Sequence, residues 1–439
     1  MNSYPTYKDS GVEWIGEIPS SWDIKRNKYI TTPKKKKSED GNEELLSVSE
    51  YLGVVPRSVI RKGEDHLTRS ESLEGYLKVS KGDLVNNIML MWKKGLGVSK
   101  YDGIVSPSYS VFRFNNSIPT YHHYLFRTEL YITEFRKNST GVILSRLRLY
   151  DDDFGDIYSY LPPLLEQSQI VSFLDTKTQK IDDLIQKTEK KIELLKEKRT
   201  SLINHCVTKG LNPNVEMKDS GVEWIGEIPS GWDVKNLKYI SDVYSSSVDR
   251  HIYKEEIQVS ICHYPDVYNN EFINDKIELN KGSCSEVEFQ RYILKKGLVI
   301  LTKDSETPDD IGNPCYVEDD FDNVVCGYHL TIIEKNDDNV NSKFLFRFIQ
   351  SDKVRCHFET ESRGITRFSL GKSKIENLFV TLPSYTEQTQ IVEYLDEQTQ
   401  KIDTTIEKET QRIELLKEYR QSLISEVVTG KVDVRGWTE

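Results

Sequence analysis

The sequence predicts an α+β fold: two mixed α/β globular domains separated by a pair of long antiparallel helices, built as an internal repeat with pseudo-two-fold symmetry. Three observations predict it. Two stretches of about 40 residues, 166–206 and 387–427, lack Pro and Gly and match each other at an offset of 221. A shorter segment, KDSGVEWIGEIPSSWDIKRNKYI at residues 8–30, returns at residues 218–240 with 19 of 23 positions identical. The segments after these repeats, residues 31–160 and 241–381, do not resemble each other. The plan is frame, middle, helix, twice over, and the offsets of 210 and 221 make the second middle 11 residues longer.

A frame kept nearly identical is expected to contact the same thing twice, whereas diverged middles are expected to contact two different things. The first middle carries β-rich runs at Val54-Val55, residues 82–85 and 109–114, broken by Gly, Pro and Asn turns, with a helical stretch from Tyr121 to Phe135. The second has such runs at residues 258–261, 298–301 and 329–333, and a helical stretch from Ser342 to Phe358. Four segments result: a first domain over 1–160, a first long helix over 161–211, a linker and second domain over 212–381, and a second long helix with its tail over 382–439.

Each long helix carries one apolar stripe. Ile181, Ile185, Ile192, Leu195 and Leu202 are spaced as helical neighbours, and Ile402, Ile406, Ile413, Leu416 and Leu423 repeat the pattern. At 1.5 Å per residue such a helix reaches roughly 60 Å, wider than a small domain. It can bury its stripe only against another long helix, and the duplicate is the natural partner, so the pair is expected to form an antiparallel coiled-coil spacer. Pro162-Pro163 opens the first helix and a Ser384-x-x-Glu387 capping box the second. Gly210 and Pro213 end the first, and the tail from Gly430 closes the scaffold beyond the second.

Neither a signal peptide nor an apolar run near 18 residues is visible, so a cytoplasmic protein without membrane contact is expected. The six cysteines show no CxxC spacing, which favours free thiols over a disulfide framework or a zinc site. The net charge of −11 argues against a nucleic-acid partner only until it is divided along the chain. Residues 24–160 hold 22 Lys and Arg against 17 Asp and Glu, and residues 234–381 hold 19 against 25. Binding DNA requires a local basic face rather than a basic total.

Candidate contacts follow from that requirement. Before each long helix stands a Ser-x-Gly loop with basic residues: Ser139, Gly141, Arg146 and Arg148 in the first copy, Ser362, Arg363, Gly364 and Arg367 in the second. Arg146 and Arg367 both precede by 15 residues the Leu-Pro at Leu161 and Leu382. A Gly loop lets an Arg approach a groove, where its planar fork pairs with a guanine edge or a phosphate. The duller alternative is an Arg that braces the domain. In the first middle Arg57, Arg61, Lys62 and Arg69, around His66, form a basic loop suited to phosphates, as does the Lys34–Lys37 run, although either can be a solvated face. In the second, Lys303, Lys372 and Lys374 are comparable, with Tyr328 and His329 as base-edge or stacking groups.

No catalytic constellation accompanies them. Ser106-Pro107-Ser108-Tyr109 faintly resembles an amino-methyltransferase motif but has no Gly-rich cofactor turn, since Gly95-Leu-Gly97 is too short. No Asp/Glu-x-Lys follows Pro308-Asp309 at nuclease spacing, and no GxxxxGK[ST] is present for ATP. A scaffold holding two copies of a partner would explain the repeated frame but not the divergent middles, and a stand-alone enzyme would need those motifs.

The doubled WIGEIPxxW frame and the doubled LPxxxEQxQIVxxLDxxTQKID helix opening closely resemble the specificity (S) subunit of type I restriction-modification systems, over nearly the whole chain. The resemblance implies that the middles are target recognition domains, each reading one half of an asymmetric, interrupted site on double-stranded DNA. It implies that the long helices space them and bind two methyltransferase subunits. S-adenosylmethionine would then be bound by those subunits, ATP and Mg²⁺ by two motor/nuclease subunits, and no cofactor or catalytic residue by this chain. The family's Gly-loop Arg carries over onto Gly141/Arg146 and Gly364/Arg367. Four residues separate Gly from Arg in the first copy and two in the second, so the two arginines are not strictly equivalent. With half-sites about one helical turn apart, roughly 34 Å, helix length is expected to set the gap.

Overall fold

The computed structural model describes residues 2–60, 73–143 and 147–438. It forms two compact units, residues 1–189 with 411–439, and residues 190–410. The chain therefore returns to its first unit at its end.

In the first unit, an antiparallel four-stranded sheet runs in the order Thr31–Pro33, Tyr109–Phe114, Leu84–Asn87, Leu96–Val98. Its apolar face packs against the helices Pro119–Phe126 and Glu129–Lys137, burying Leu84, Phe112, Leu125, Phe126 and Phe135 in one core. The single helix expected over Tyr121–Phe135 is broken at Arg127-Thr128, because the Thr128 hydroxyl accepts from Tyr131 N–H and restarts the helix as an N-cap. Val432, Val434 and Trp437 of the tail join this core.

The second unit has a five-stranded sheet in the order Ser241–Ser245, Leu330–Lys335, Val299–Thr302, Pro314–Val317, Phe272–Ile273, with a three-stranded sheet around Ile257–Cys262. The expected Ser342–Phe358 helix is again two, Ser342–Ile349 and Asp352–Glu361. Here the break is fixed from outside: Asn204 of the first long helix accepts from Asp352 N–H at 2.8 Å and donates to its carboxylate at 2.9 Å. All six cysteines are free, and only Cys356 is exposed.

The two long helices, Leu164–Lys209 and Tyr385–Val428, pack together. Within the second unit Lys191 meets Glu409 and Arg199 meets Asp403. Numbers rise on one helix as they fall on the other, which is antiparallel pairing. Within the first unit Asp182 pairs with Arg420, and Ile181, Ile185, Leu416 and Leu423 share the core. All ten stripe residues, Ile192, Leu195, Leu202, Ile402, Ile406 and Ile413 included, are buried or half-buried. No helix among the described residues is long and apolar enough to cross a membrane.

Candidate nucleic-acid interface

The repeated residues are consumed by internal clamps. In the first unit the buried Trp22 indole donates to Glu166 at 2.9 Å, and Tyr4 donates to the same oxygen at 2.5 Å. The second unit repeats the bond, Trp232 to Glu387 at 3.1 Å. The expected capping box is thus half used: Ser384 accepts from Glu387 N–H, while the Glu387 carboxylate serves Trp232. The neighbouring glutamines do the same work twice. Gln167 accepts from Ile118 N–H and donates to the Pro162 carbonyl, and Gln388 accepts from Asn341 N–H and donates to the Pro383 carbonyl.

About two turns further along each helix the equivalent carboxylate holds a different domain. Asp175 accepts from Tyr124 at 2.6 Å, whereas Asp396 accepts from the buried Arg347 at 2.9 Å. Gly210 and Gly430 end the long helices with φ of +73° and +77°, and a Cβ at either would press on Trp232 or Trp22. Trp14 meets Tyr131 edge-on, and its repeat Trp224 stacks on His357 at 4.6 Å. The frame thus contacts the same thing twice, and that thing is the helix pair of its own chain.

The divergent residues are what each unit presents outward. In the second unit Arg363-Gly364 and Phe368-Ser369 form a hairpin whose tip, including Arg367, is exposed, with Ile365 at 95% exposure. Gly364 is required there, because a Cβ would collide with the Arg367 carbonyl. Asp304-Ser305 adds a third strand, Asp304 opposite Ser369. That pairing brings in two further candidates: Lys303 accepts from Leu370 N–H through its carbonyl, and its own N–H donates to the His329 carbonyl. His329 Nδ1 lies 2.6 Å from Asp304. Lys303, His329, Arg363, Gly364 and Arg367 therefore form one cluster. Lys372 and Lys374 lie on the short helix that follows, tied to Glu376 and Glu361. Lys374 holds the Glu361 carboxyl below the usual carboxylate range.

In the first unit Thr140 and Arg148 exchange two backbone hydrogen bonds of 2.9 Å, which makes them a hairpin neck. Gly141, Val142 and Ile143 beyond it are exposed, and so is Arg148. Arg57 starts a short helix, Arg57–Ile60, on the separate hairpin of Leu46–Ser49 and Gly53–Pro56. Arg61, Lys62, Arg69, His66 and Arg146 lie outside the described residues. Lys34 is bound to the buried Asp83 at 2.5 Å, so it is not a free end of the lysine run. Sequence reasoning missed Arg250, whose guanidinium lies 5.5 Å from the Tyr328 ring centre. Burial, assisted by the Arg250 charge, lowers the His263 pKa. Nothing local marks Arg250, since folding alone brings it to Tyr328.

Residues 229–417 match the family profile described as the type I restriction modification DNA specificity domain. The MjaVIII specificity subunit of Methanocaldococcus jannaschii is 22% identical over 95% of this chain and 94% of its own length. The MjaIX specificity subunit of the same organism is 24% identical over 96% and 95%. Over nearly its whole length this chain is similar to type I restriction-modification specificity subunits. The fold agrees: a chain solved in work on complex assembly and conformational transition of the type I R-M system superposes with a TM-score of 0.71, at 15% identity, over 94% of this chain and 99% of that one. In this chain the matched segment includes the Arg363–Ser369 hairpin, His329 and Lys303, together with the frame tryptophan and helix carboxylate that hold their domain.

Proposed function

We propose that this chain is the specificity subunit and DNA-reading part of a type I restriction-modification complex, with the domains over 1–160 and 212–381 each reading one half of an asymmetric, interrupted site. One observation carries the reading: the repeated residues are spent on internal clamps, while the exposed basic hairpins are where the two copies differ. Arg363 and Arg367 supply donors for guanine edges or phosphates, and Arg148 and Arg146 do so in the first domain. The helices over 161–211 and 382–439 set the gap between half-sites.

Two methyltransferase subunits dock on those helices. Leu194 and Leu415 support this, being repeat equivalents that are both about half exposed, at 52% and 58%. S-adenosylmethionine belongs to those subunits, which methylate adenine, and ATP and Mg²⁺ to two motor/nuclease subunits. The chain binds no cofactor and turns nothing over alone, and it acts on DNA in the cytoplasm. The test is to insert or delete one helical turn in both long helices of the co-expressed complex and map its methylation. The expected result is a changed gap with unchanged half-site letters; changed letters would refute the spacer role.

A further inference from the structure

The side chains gathered at the second domain's hairpin are mostly donors. Lys303, Arg250, Arg363 and Arg367 carry N–H groups and no acceptor, so they can recognise phosphates, guanine O6 and N7, or thymine O4. None of them can recognise a base by its amino group. One neighbour can. His329 Nδ1 sits 2.6 Å from the Asp304 carboxylate, which only accepts, so Nδ1 carries the ring proton. In the neutral ring Nε2 is then an acceptor, and among the described residues it has no hydrogen-bond partner.

The group is held as a reading group has to be. The His329 side chain keeps 26% of its surface exposed and Asp304 keeps 13%. Its ring centre lies 4.1 Å from that of Tyr328, over which Arg250 is placed. His329 has a φ of +69°, a conformation that few residues other than glycine adopt and that the surrounding contacts must maintain. Asp304 is itself on the strand that pairs with the hairpin, opposite Ser369. A side chain with its tautomer, ring plane and backbone all fixed, beside exposed arginines, is preorganised for a directional contact.

We propose that His329 determines one base of the half-site read by the second domain, by accepting through Nε2 a hydrogen bond from the exocyclic amino group of adenine or cytosine in the major groove. Asp304 is the positioning residue that sets the tautomer. This inference rests on the DNA-reading function proposed above.

The test uses the specificity subunit co-expressed with its methyltransferase subunit. Gly adopts a left-handed backbone without strain, so His329→Gly removes the acceptor without straining the turn. Methylation mapping is expected to show one position relaxed in one half-site and the other half-site unchanged. A duplex lacking the amino group at that position, with purine for adenine or 2-pyrimidinone for cytosine, is then expected to weaken wild-type binding roughly tenfold and to leave the variant's binding unchanged. If wild-type affinity falls on 7-deazapurine substitution instead, Nε2 donates and the inference is wrong. It is equally wrong if His329→Gly weakens all sequences alike, which marks a phosphate or bracing role. A wild-type complex that binds no DNA would overturn the DNA-reading function itself, a separate result.

Discussion

Replacing Glu166 by Ala removes the acceptor for two donors, Tyr4 at 2.5 Å and Trp22 at 2.9 Å, and leaves the indole N–H of a fully buried tryptophan facing no partner. A hydrogen bond to a charged group contributes about 1.5–3 kcal/mol, and an orphaned buried donor keeps its full desolvation cost. The two bonds share one oxygen, so their loss is not additive, and about 3 kcal/mol is expected. At 1.36 kcal/mol per factor of ten, this raises the opening equilibrium of the frame about 150-fold. Amide hydrogen exchange, which reports local opening, should therefore accelerate by about that factor in peptides covering residues 2–26. The repeat supplies the control. Glu387 has the single 3.1 Å bond to Trp232 and is half-buried, so Glu387→Ala should cost about 2 kcal/mol and act on residues 217–240 instead. Unchanged exchange at the frame in either variant, or an equal effect on both frames from one of them, would refute the clamp.

Other outcomes follow from the same geometry. Arg363→Ala and Arg367→Ala should each weaken DNA binding by the assembled complex. A lost phosphate contact lowers the slope of log K against log salt by about 0.9, and a lost base contact costs about 1–3 kcal/mol at one half-site position; binding titrations at three salt concentrations separate these, and unaltered affinity in both variants would remove the hairpin from the interface. His122, buried against Phe114 and bonded to Ser117, has its pKa pushed down by burial to about 3, from 6.5. Its folded-state pKa is depressed, so below pH 6.5 the unfolded chain binds the extra proton. Stability then falls as pH falls, by up to about 1.4 kcal/mol per pH unit, until about pH 3. Urea midpoints followed between pH 6.5 and 5 should show this slope in the wild type and a shallower one in His122→Phe; identical slopes would mean that His122 titrates normally.

What could be read from the chain was whatever is periodic or repeated. The stripe from Ile181 to Leu202 and its copy declare a helix pair because each apolar side chain needs a partner at the same spacing, and the structure pairs them. The breaks in the two domain helices differ in legibility. Thr128 is a local N-cap signal, but Asn204 caps the helix at Asp352 from 148 residues away, and no pattern near Ser351 announces that. The hairpin loops were legible through Gly and Arg. Their association with Lys303 and His329 was not, because it depends on Asp304 pairing with Ser369 across the domain. Glu387 shows the reverse failure: a locally valid capping signal was overridden by a tryptophan that the repeat brings back to the helix start.

The central claim is that two unlike domains on a repeated scaffold read two halves of one DNA site. Co-expression of this chain with a type I methyltransferase subunit, followed by genome-wide mapping of methylated adenine, tests it directly. The account predicts a single asymmetric, interrupted motif, of which one half alone changes when residues 234–381 are exchanged for those of another specificity subunit. A stable complex that methylates no motif, or an exchange that alters both halves together, would contradict it.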